Sequence, residues 1–401
     1  MRKKITLSTA ISYMFIAMTV TFCLTMILSA RMFEAKVSSV NEKESMYDKV
    51  SDIDQVVRQN YYTAIDDTNI FDSLSRGYVN GLKDSESKYL TAAEVTEYQE
   101  EMNGKIIGAG MDITKSKEDG GYMKVYKVYP ESSADVQGIV ANDLLTAING
   151  ISVINMTEAE AVKLLSGKSG TTVDVTYRHE DAETTATLTR KAFDAPSVSY
   201  SKEDTVGYIK ITNFSSRTAS ELEYAANNLT SQGATSLCVD IRNNASRDFV
   251  SAADAADILL KEGTTMYAVY QDGERKVLYT SDKTATTLPV TLITNGGTGY
   301  ASEMFAIMLK DSAGAKTVGT TTMGKGTLQK LFRMPDGSGV VLTVATLSPV
   351  ASASYNGTGI APDYEKALDS AQEANFYTFT VSTDPQILRA FEVAKNLTIQ
   401  Q

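Results

Sequence analysis

With 401 residues, 43% hydrophobic and 22% charged, the chain is too long for one ordinary domain and has the mixture of a folded protein rather than a disordered one. A net charge of −11, with no Lys/Arg stripe interleaved with aromatics, excludes nucleic acid as a partner. One histidine, His179, is too few for a histidine-based triad or a multi-histidine zinc site; no metal and no cofactor are expected.

The chain opens with Arg2, Lys3 and Lys4, and the run from Ile5 to Ala30 then carries no charge. A helix needs roughly 20 apolar residues to cross a bilayer, and a cleaved signal has an apolar region of only about 7–15. Residues 1–30 are therefore expected to be a basic stub and an uncleaved, single-pass transmembrane anchor. Beyond it Arg31 and Lys36 are diluted by Glu34, Glu42 and Glu44, which keeps the N-terminus cytoplasmic and the bulk of the chain extracytoplasmic. Cys23 falls in the apolar run and Cys238 in a strand-like run, so no disulfide is expected.

Residues 31–103 read as an all-helical entry segment. Val50, Ile53, Val56 and Val57 recur at helical spacing, Tyr61, Tyr62, Phe71, Leu74 and Tyr78 continue that face, and Thr91 with Glu94 has the spacing of a capping box. From Gly104 the texture changes to short β-branched runs with glycine turns, giving a β-rich module over 104–191 with a strand at 122–129, a helix at 157–165 and closing strands at 172–178 and 183–190. Ala195-Pro196 marks the next boundary. Strands at 206–211, 236–241 and 290–294 then alternate with helices at 218–232, 251–261 and 302–309, which predicts an α/β domain over 195–365 with ligands past the carboxyl ends of the strands. Residues 366–401 form a helical tail, its helix at about 384–396.

Motifs along the chain fall in the order found in the C-terminal processing peptidases, or tail-specific proteases, and the chain resembles that family over everything after the anchor. Lys88-Tyr89-Leu90-Thr91 and Gly108-Ala109-Gly110-Met111 are similar to the entry into its PDZ domain. Pro130-Glu131-Ser132-Ser133-Ala134 and the run from Asn142 to Gly150 are similar to the PDZ body. Asp240-Ile241-Arg242-Asn243-Asn244, Asn295-Gly296-Gly297 leading to Ala301-Ser302-Glu303, the run from Gly324 to Gln329, and Gly359-Ile360-Ala361-Pro362-Asp363 resemble the peptidase core. The resemblance implies a multidomain α/β protein with a PDZ domain and a peptidase-like core of the ClpP/crotonase type. It also implies a partner class: C-terminal tails of proteins, held by Gly108, Ala109, Gly110 and Met111 as an anion nest beside an edge strand that accepts an extended peptide.

In active relatives a serine attacks the carbonyl and a neutral lysine takes its proton. The resemblance gives the lysine as Lys325 and its orienting residue as Gln329, and it puts Tyr300 at the nucleophile position, where a phenol cannot run the family mechanism. Ala245, Ser246 and Arg247 replace the proline and two glycines whose backbone helps form the oxyanion hole, and Ser348-Pro349-Val350-Ala351 lacks the usual glycine after proline. The expected function is a membrane-anchored pseudopeptidase or adaptor that captures tails through its PDZ domain. The alternative is an active serine endopeptidase using a displaced nucleophile, Ser302 or Thr298, with Lys325. A third reading is a structural partner that oligomerises with itself or with an active homologue.

Overall fold

The structure, a computed structural model, describes residues 7–102, 105–115, 120–194, 196–282, 288–374, 376 and 379–397. Two compact units divide the chain, residues 1–74 and 75–401.

The first unit is dominated by one helix, Leu7–Asn60. Its sequence has neither glycine nor proline to stop it, so it runs on from the uncharged stretch into the charged one. Among the described residues no helix is long and apolar enough to cross a membrane, so the transmembrane anchor expected at 1–30 is not found there; residues 1–6 lie outside the described residues. Hydroxyl residues lower the apolarity of the run: Thr19, Thr21 and Thr25 each turn the side chain back to a carbonyl one turn earlier, at 2.8–2.9 Å.

In the second unit the expected capping box is present at Thr91, whose N–H donates to Glu94 Oε2 at 2.8 Å while Glu94 N–H donates to Thr91 Oγ1 at 3.3 Å. The entry segment is not all helical, however. Lys88–Leu90 is a strand, paired antiparallel with Gly339–Ser348. Its adjacent Tyr89 and Leu90 are both buried, with a strand partner some 250 positions away in sequence, which a local helical periodicity does not register.

The β-rich module has the sheet order Met111–Lys115, Met123–Val128, Leu144–Ile148, Thr172–His179, Ala182–Thr189, antiparallel throughout, with Ile151–Ser152 on the side of Leu144–Ile148. Helix Glu158–Leu165 carries a complete capping box between Thr157 and Glu160. A separate ladder, Lys105–Gly108 with Lys191–Asp194, closes the module's two ends on each other.

At the turn end of the hairpin 172–189, His179 Nδ1 lies 2.6 Å from Asp143 Oδ1, and Asp143 Oδ2 accepts from Val140 N–H. The hydrogen bond to Asp143 raises the His179 pKa above its ordinary value. Such a group adds stability below its unfolded pKa of about 6.5 and loses that contribution as pH rises through the folded value. Thermal unfolding of the wild type should therefore show a stability increment below pH 6.5 that disappears above it, and His179→Gln should flatten that step; an unchanged step in the variant would assign it elsewhere.

The α/β domain is a six-stranded sheet ordered Val198–Glu203, Val206–Ile211, Ser236–Asp240, Val290–Thr294, Lys316–Gly319, Tyr364–Glu365, antiparallel at the first pair and parallel beyond it. Period-two alternation splits its strands between two cores. Ile209, Leu237, Val239 and Leu292 face one side, against helices Thr218–Ser231, Phe249–Asp257 and Ala301–Ala313. Tyr208, Cys238, Ile293 and Val318 face the other, covered by Ile387, Ala390, Phe391 and Val393 of the tail helix Pro385–Lys395. Residues 301–309 of helix Ala301–Ala313 are all buried because the helix also packs against a second sheet: Lys88–Leu90, Gly339–Ser348, Gly263–Tyr270, Arg275–Ser281, with Thr327–Arg333 on Gly339–Ser348.

Candidate active site and peptide-binding loop

The chemistry-bearing positions lie where two chain reversals meet at the head of helix Ala301–Ala313. Tyr300 caps that helix with φ +54° and ψ −115°, an unusual conformation for a non-glycine residue. One carboxylate fixes it to the lysine loop. Glu303, fully buried, accepts from Tyr300 N–H at 3.2 Å, from Gly324 N–H at 2.7 Å, from Lys325 N–H at 2.7 Å and from the Thr322 hydroxyl. The register between positions 300 and 325 is thus set by a buried acid that anchors both backbones. Its sequence signal was the Ala-Ser-Glu triplet itself, which reads only as helix-dipole compensation until the fold brings the loop over it.

The side chains converge on a residue that the sequence did not flag, Glu86. Lys325 Nζ donates to Glu86 Oε1 at 3.0 Å, Tyr300 Oη donates to the same oxygen at 3.1 Å, and Arg247 Nη1 donates to Oε2 at 2.5 Å. Arg247 Nη2 donates to Tyr300 Oη at 2.6 Å, and the guanidinium carbon lies 3.8 Å from the ring centroid. Burial opposes ionisation of Glu86, but the bonds from Arg247 and Lys325 outweigh it and hold the carboxyl below its ordinary range. The reciprocal effect is on the amine. The hydrogen bond and charge of Glu86 raise the Lys325 pKa, against a small opposing effect of burial. A base for serine chemistry must be neutral; this lysine is held as ammonium. Tyr300 is pushed up by burial, so its phenol stays protonated.

Gln329, expected to orient Lys325, instead donates to Thr327 Oγ1 at 2.8 Å and Thr343 Oγ1 at 3.4 Å, with no hydrogen bond to Lys325 among the described residues. Ser302, offered as a displaced nucleophile, is not at the helix cap. It lies inside the first turn, fully buried, its hydroxyl without a hydrogen-bond partner among the described residues. Thr298 is also buried and bonded to the Ile241 carbonyl at 3.0 Å. Neither hydroxyl reaches the lysine.

At the oxyanion region, Ser246 N–H donates to Asn244 Oδ1 and its hydroxyl to the Phe214 carbonyl. The Ser246 carbonyl accepts from Ala301 N–H at 2.9 Å. The amide that follows the nucleophile position, which would meet a developing oxyanion, is therefore already bonded. Ala245 is exposed, and Arg247 fills the space above Tyr300.

In the β-rich module, the loop Gly108–Met111 leads into Met111–Lys115, the terminal strand of its sheet. Ala109 N–H, expected to cup a carboxylate, donates to the Leu165 carbonyl at 3.1 Å, and Gly108 bridges Ser166. The Gly110 carbonyl accepts from Tyr129 N–H and from the Ser132 hydroxyl, both at 3.0 Å. Helix Glu158–Leu165 flanks the strand, and Glu158 accepts from Lys115 N–H at 3.2 Å; burial raises the pKa of that carboxyl. Gly110 has φ +89°, and a Cβ there would stand 1.9 Å from Ser132 Cβ. Gly110→Ala should accordingly destabilise the chain by about 1–3 kcal/mol in denaturant titrations, through strain and displacement of Ser132. A neutral result would mean that the loop has room to move.

Residues 205–366 match the family model described as peptidase family S41, and residues 124–178 match that of a PDZ domain. Among curated proteins, a probable CtpA-like serine protease of Staphylococcus epidermidis is 29% identical over 353 residues, 87% of this chain and 71% of that protein. The carboxy-terminal processing protease CtpA of Bacillus subtilis is 28% identical over 333 residues, 82% and 71% of the two chains. Among solved structures, the photosystem II D1 C-terminal processing protease is similar with a TM-score of 0.52 at 25% identity, covering 82% of this chain and 90% of that one.

Proposed function

We propose that this chain, which carries a PDZ domain and a family S41 peptidase domain in the manner of the C-terminal processing proteases, is a tail-binding pseudopeptidase. Its PDZ domain captures protein C-termini by adding an extended peptide to the edge strand Met111–Lys115, and its peptidase domain does not cut them. The observation that carries the reading is the state of Lys325: the lysine that would activate a nucleophile is bonded to Glu86 and, among the described residues, to no hydroxyl. Two further features support it, the phenol at Tyr300 and the bond from Ala301 N–H to the Ser246 carbonyl.

The test uses the full chain and an unstructured substrate with an apolar tail. Calorimetric titration should show one equivalent of a peptide with a free C-terminus bound and an amidated peptide bound at least about tenfold more weakly, as expected where a charged hydrogen-bonded group is removed from the ligand. No cleavage should appear in the wild type or in Lys325→Ala. Turnover in the wild type that Lys325→Ala abolishes would overturn the reading.

The same proposal keeps the chain at a membrane with its N-terminus cytoplasmic. This rests on the sequence from Arg2 to Ala30 alone. Expressed full-length chain should resist alkaline extraction from membranes, and deletion of residues 1–30 should release it; extraction of the intact chain would remove the anchor from the account.

A further inference from the structure

Resting on the reading of a silent peptidase centre, we propose that this centre is a carboxylate receptor: Arg247, Lys325 and the Tyr300 hydroxyl form a donor set that Glu86 fills in cis and that a peptide's C-terminal carboxylate can fill in its place. Three donors from separate parts of the chain meet on the two oxygens of one carboxylate, at 2.5, 3.0 and 3.1 Å. A planar guanidinium and a phenol suit a carboxylate's geometry, and the ammonium adds a point charge. Their spacing is held by groups other than Glu86. The Lys325 backbone is fixed by Glu303, and Arg247 is stacked on the Tyr300 ring.

Charge and exposure favour exchange. Two cations surround one anion, so the set is positive with Glu86 in place and more so without it. The Arg247 and Lys325 side chains are 36% and 37% exposed, whereas that of Glu86 is 9% exposed. The donors can be approached from solvent while the resident carboxylate sits on their inner side. Glu86 belongs to a short connecting segment, Asp84–Ser87, held by two bonds within itself, Glu86 N–H to Asp84 Oδ1 and the Ser87 hydroxyl to Asp84 Oδ2, and tied to strand Gly339–Ser348 by Thr343 N–H to Ser87 Oγ. With no nucleophile at position 300, a carboxylate exchanged into the site meets only donors and stays intact.

The experiment is a calorimetric titration of the full chain with three peptides: one with a free C-terminus and no acidic side chain, the same peptide amidated, and an amidated one carrying an internal glutamate. Glu86→Gln removes the resident charge. The expected result is a second equivalent of the free-carboxylate peptide, bound about tenfold or more tightly than at the same site in the wild type, because the competing occupant no longer lowers the competent fraction. Lys325→Met in the Glu86→Gln background should abolish that second equivalent. Equal binding of the amidated internal-glutamate peptide would overturn the assignment to chain ends. Absence of a second equivalent in a Glu86→Gln chain with wild-type circular dichroism would overturn the receptor itself. If Glu86→Gln does not fold, Tyr300→Phe, which removes one of the three bonds to Glu86, decides in its stead: a second equivalent lost with Lys325→Met supports the receptor, and none refutes it. A wild type that binds nothing while Glu86→Gln binds one equivalent removes tail capture by the PDZ domain and keeps the receptor; one equivalent in each does the reverse.

Discussion

Arg242→Met is expected to cost the fold about 3–5 kcal/mol, the range for leaving buried charges without their partner. Arg242 is 5% exposed. Its Nε and Nη2 donate to the two oxygens of Asp240 at 2.9 and 2.7 Å, and its Nη1 donates to Asp384 Oδ2 at 2.9 Å and to Gln386 Oε1 at 2.8 Å. Asp384 in turn caps the tail helix through Gln386 N–H and Ile387 N–H. One guanidinium thus joins the end of strand Ser236–Asp240 to the start of the helix that covers the sheet's second face. Although burial disfavours its ionisation, Asp240 is held below the ordinary carboxylate range by Arg242. In the wild type this contribution is present above the unfolded aspartate pKa of about 3.9 and is lost as pH falls through the lower folded value. In the variant, protonation relieves the unpaired acids, so the deficit should be largest near pH 8 and shrink towards pH 4. Urea unfolding at unchanged m would report it; a midpoint shift worth less than about 1 kcal/mol would mean that the network is not what secures the tail.

Restoring an alcohol at position 300 is expected to be insufficient by itself. Tyr300→Ser supplies a nucleophile, but Lys325 remains an ammonium bonded to Glu86, so cleavage of an unstructured apolar-tailed substrate should stay at the wild-type background. Tyr300→Ser with Glu86→Gln removes the group that raises the Lys325 pKa and leaves Arg247 to lower it. The double variant should cleave about 10²–10⁴-fold faster than Tyr300→Ser, the usual contribution of a general base, with a rate that climbs with pH as the amine loses its proton. It should still be slow, because Ala301 N–H is bonded to Ser246; one missing oxyanion donor is worth about 10²–10³ in turnover. Equal rates for Tyr300→Ser with and without Glu86→Gln would show that Glu86 is not the brake.

Much of the α/β domain was legible because each strand and helix carries its own periodicity. Val206–Ile211 and Val290–Thr294 occur with the expected bounds, and Thr157, Thr91 and Asp384 stand at helix starts where short polar side chains belong. The second sheet was not read. Thr327–Arg333 mixes exposed and half-buried positions, and in Gly263–Tyr270 the adjacent buried Thr265 and Met266 break the alternation, so their pattern shows only once Gly339–Ser348 lies between them.

The same limit applied to the candidate site. Tyr300 and Lys325 sit in recognisable local motifs, and Arg247 stood out as a side chain where glycine was expected. Glu86 lies 239 positions from Lys325 in a segment with no motif, and only the pairing of Lys88–Leu90 with Gly339–Ser348 brings it there. Gln329 was assigned to the lysine by the family resemblance, whereas the bond to that amine comes from a different part of the chain.

That pairing also gives the centre a mechanical side. Glu86 stands two residues ahead of a three-residue edge strand, so tension on the chain before residue 84 acts on the strand's ladder and on the carboxylate together. Peeling Lys88–Leu90 away would draw Glu86 off Arg247 and Lys325 in the same movement. The grip of a silent centre is thereby tied to a pulling force on its own leading segment, measurable in a single-molecule stretching experiment.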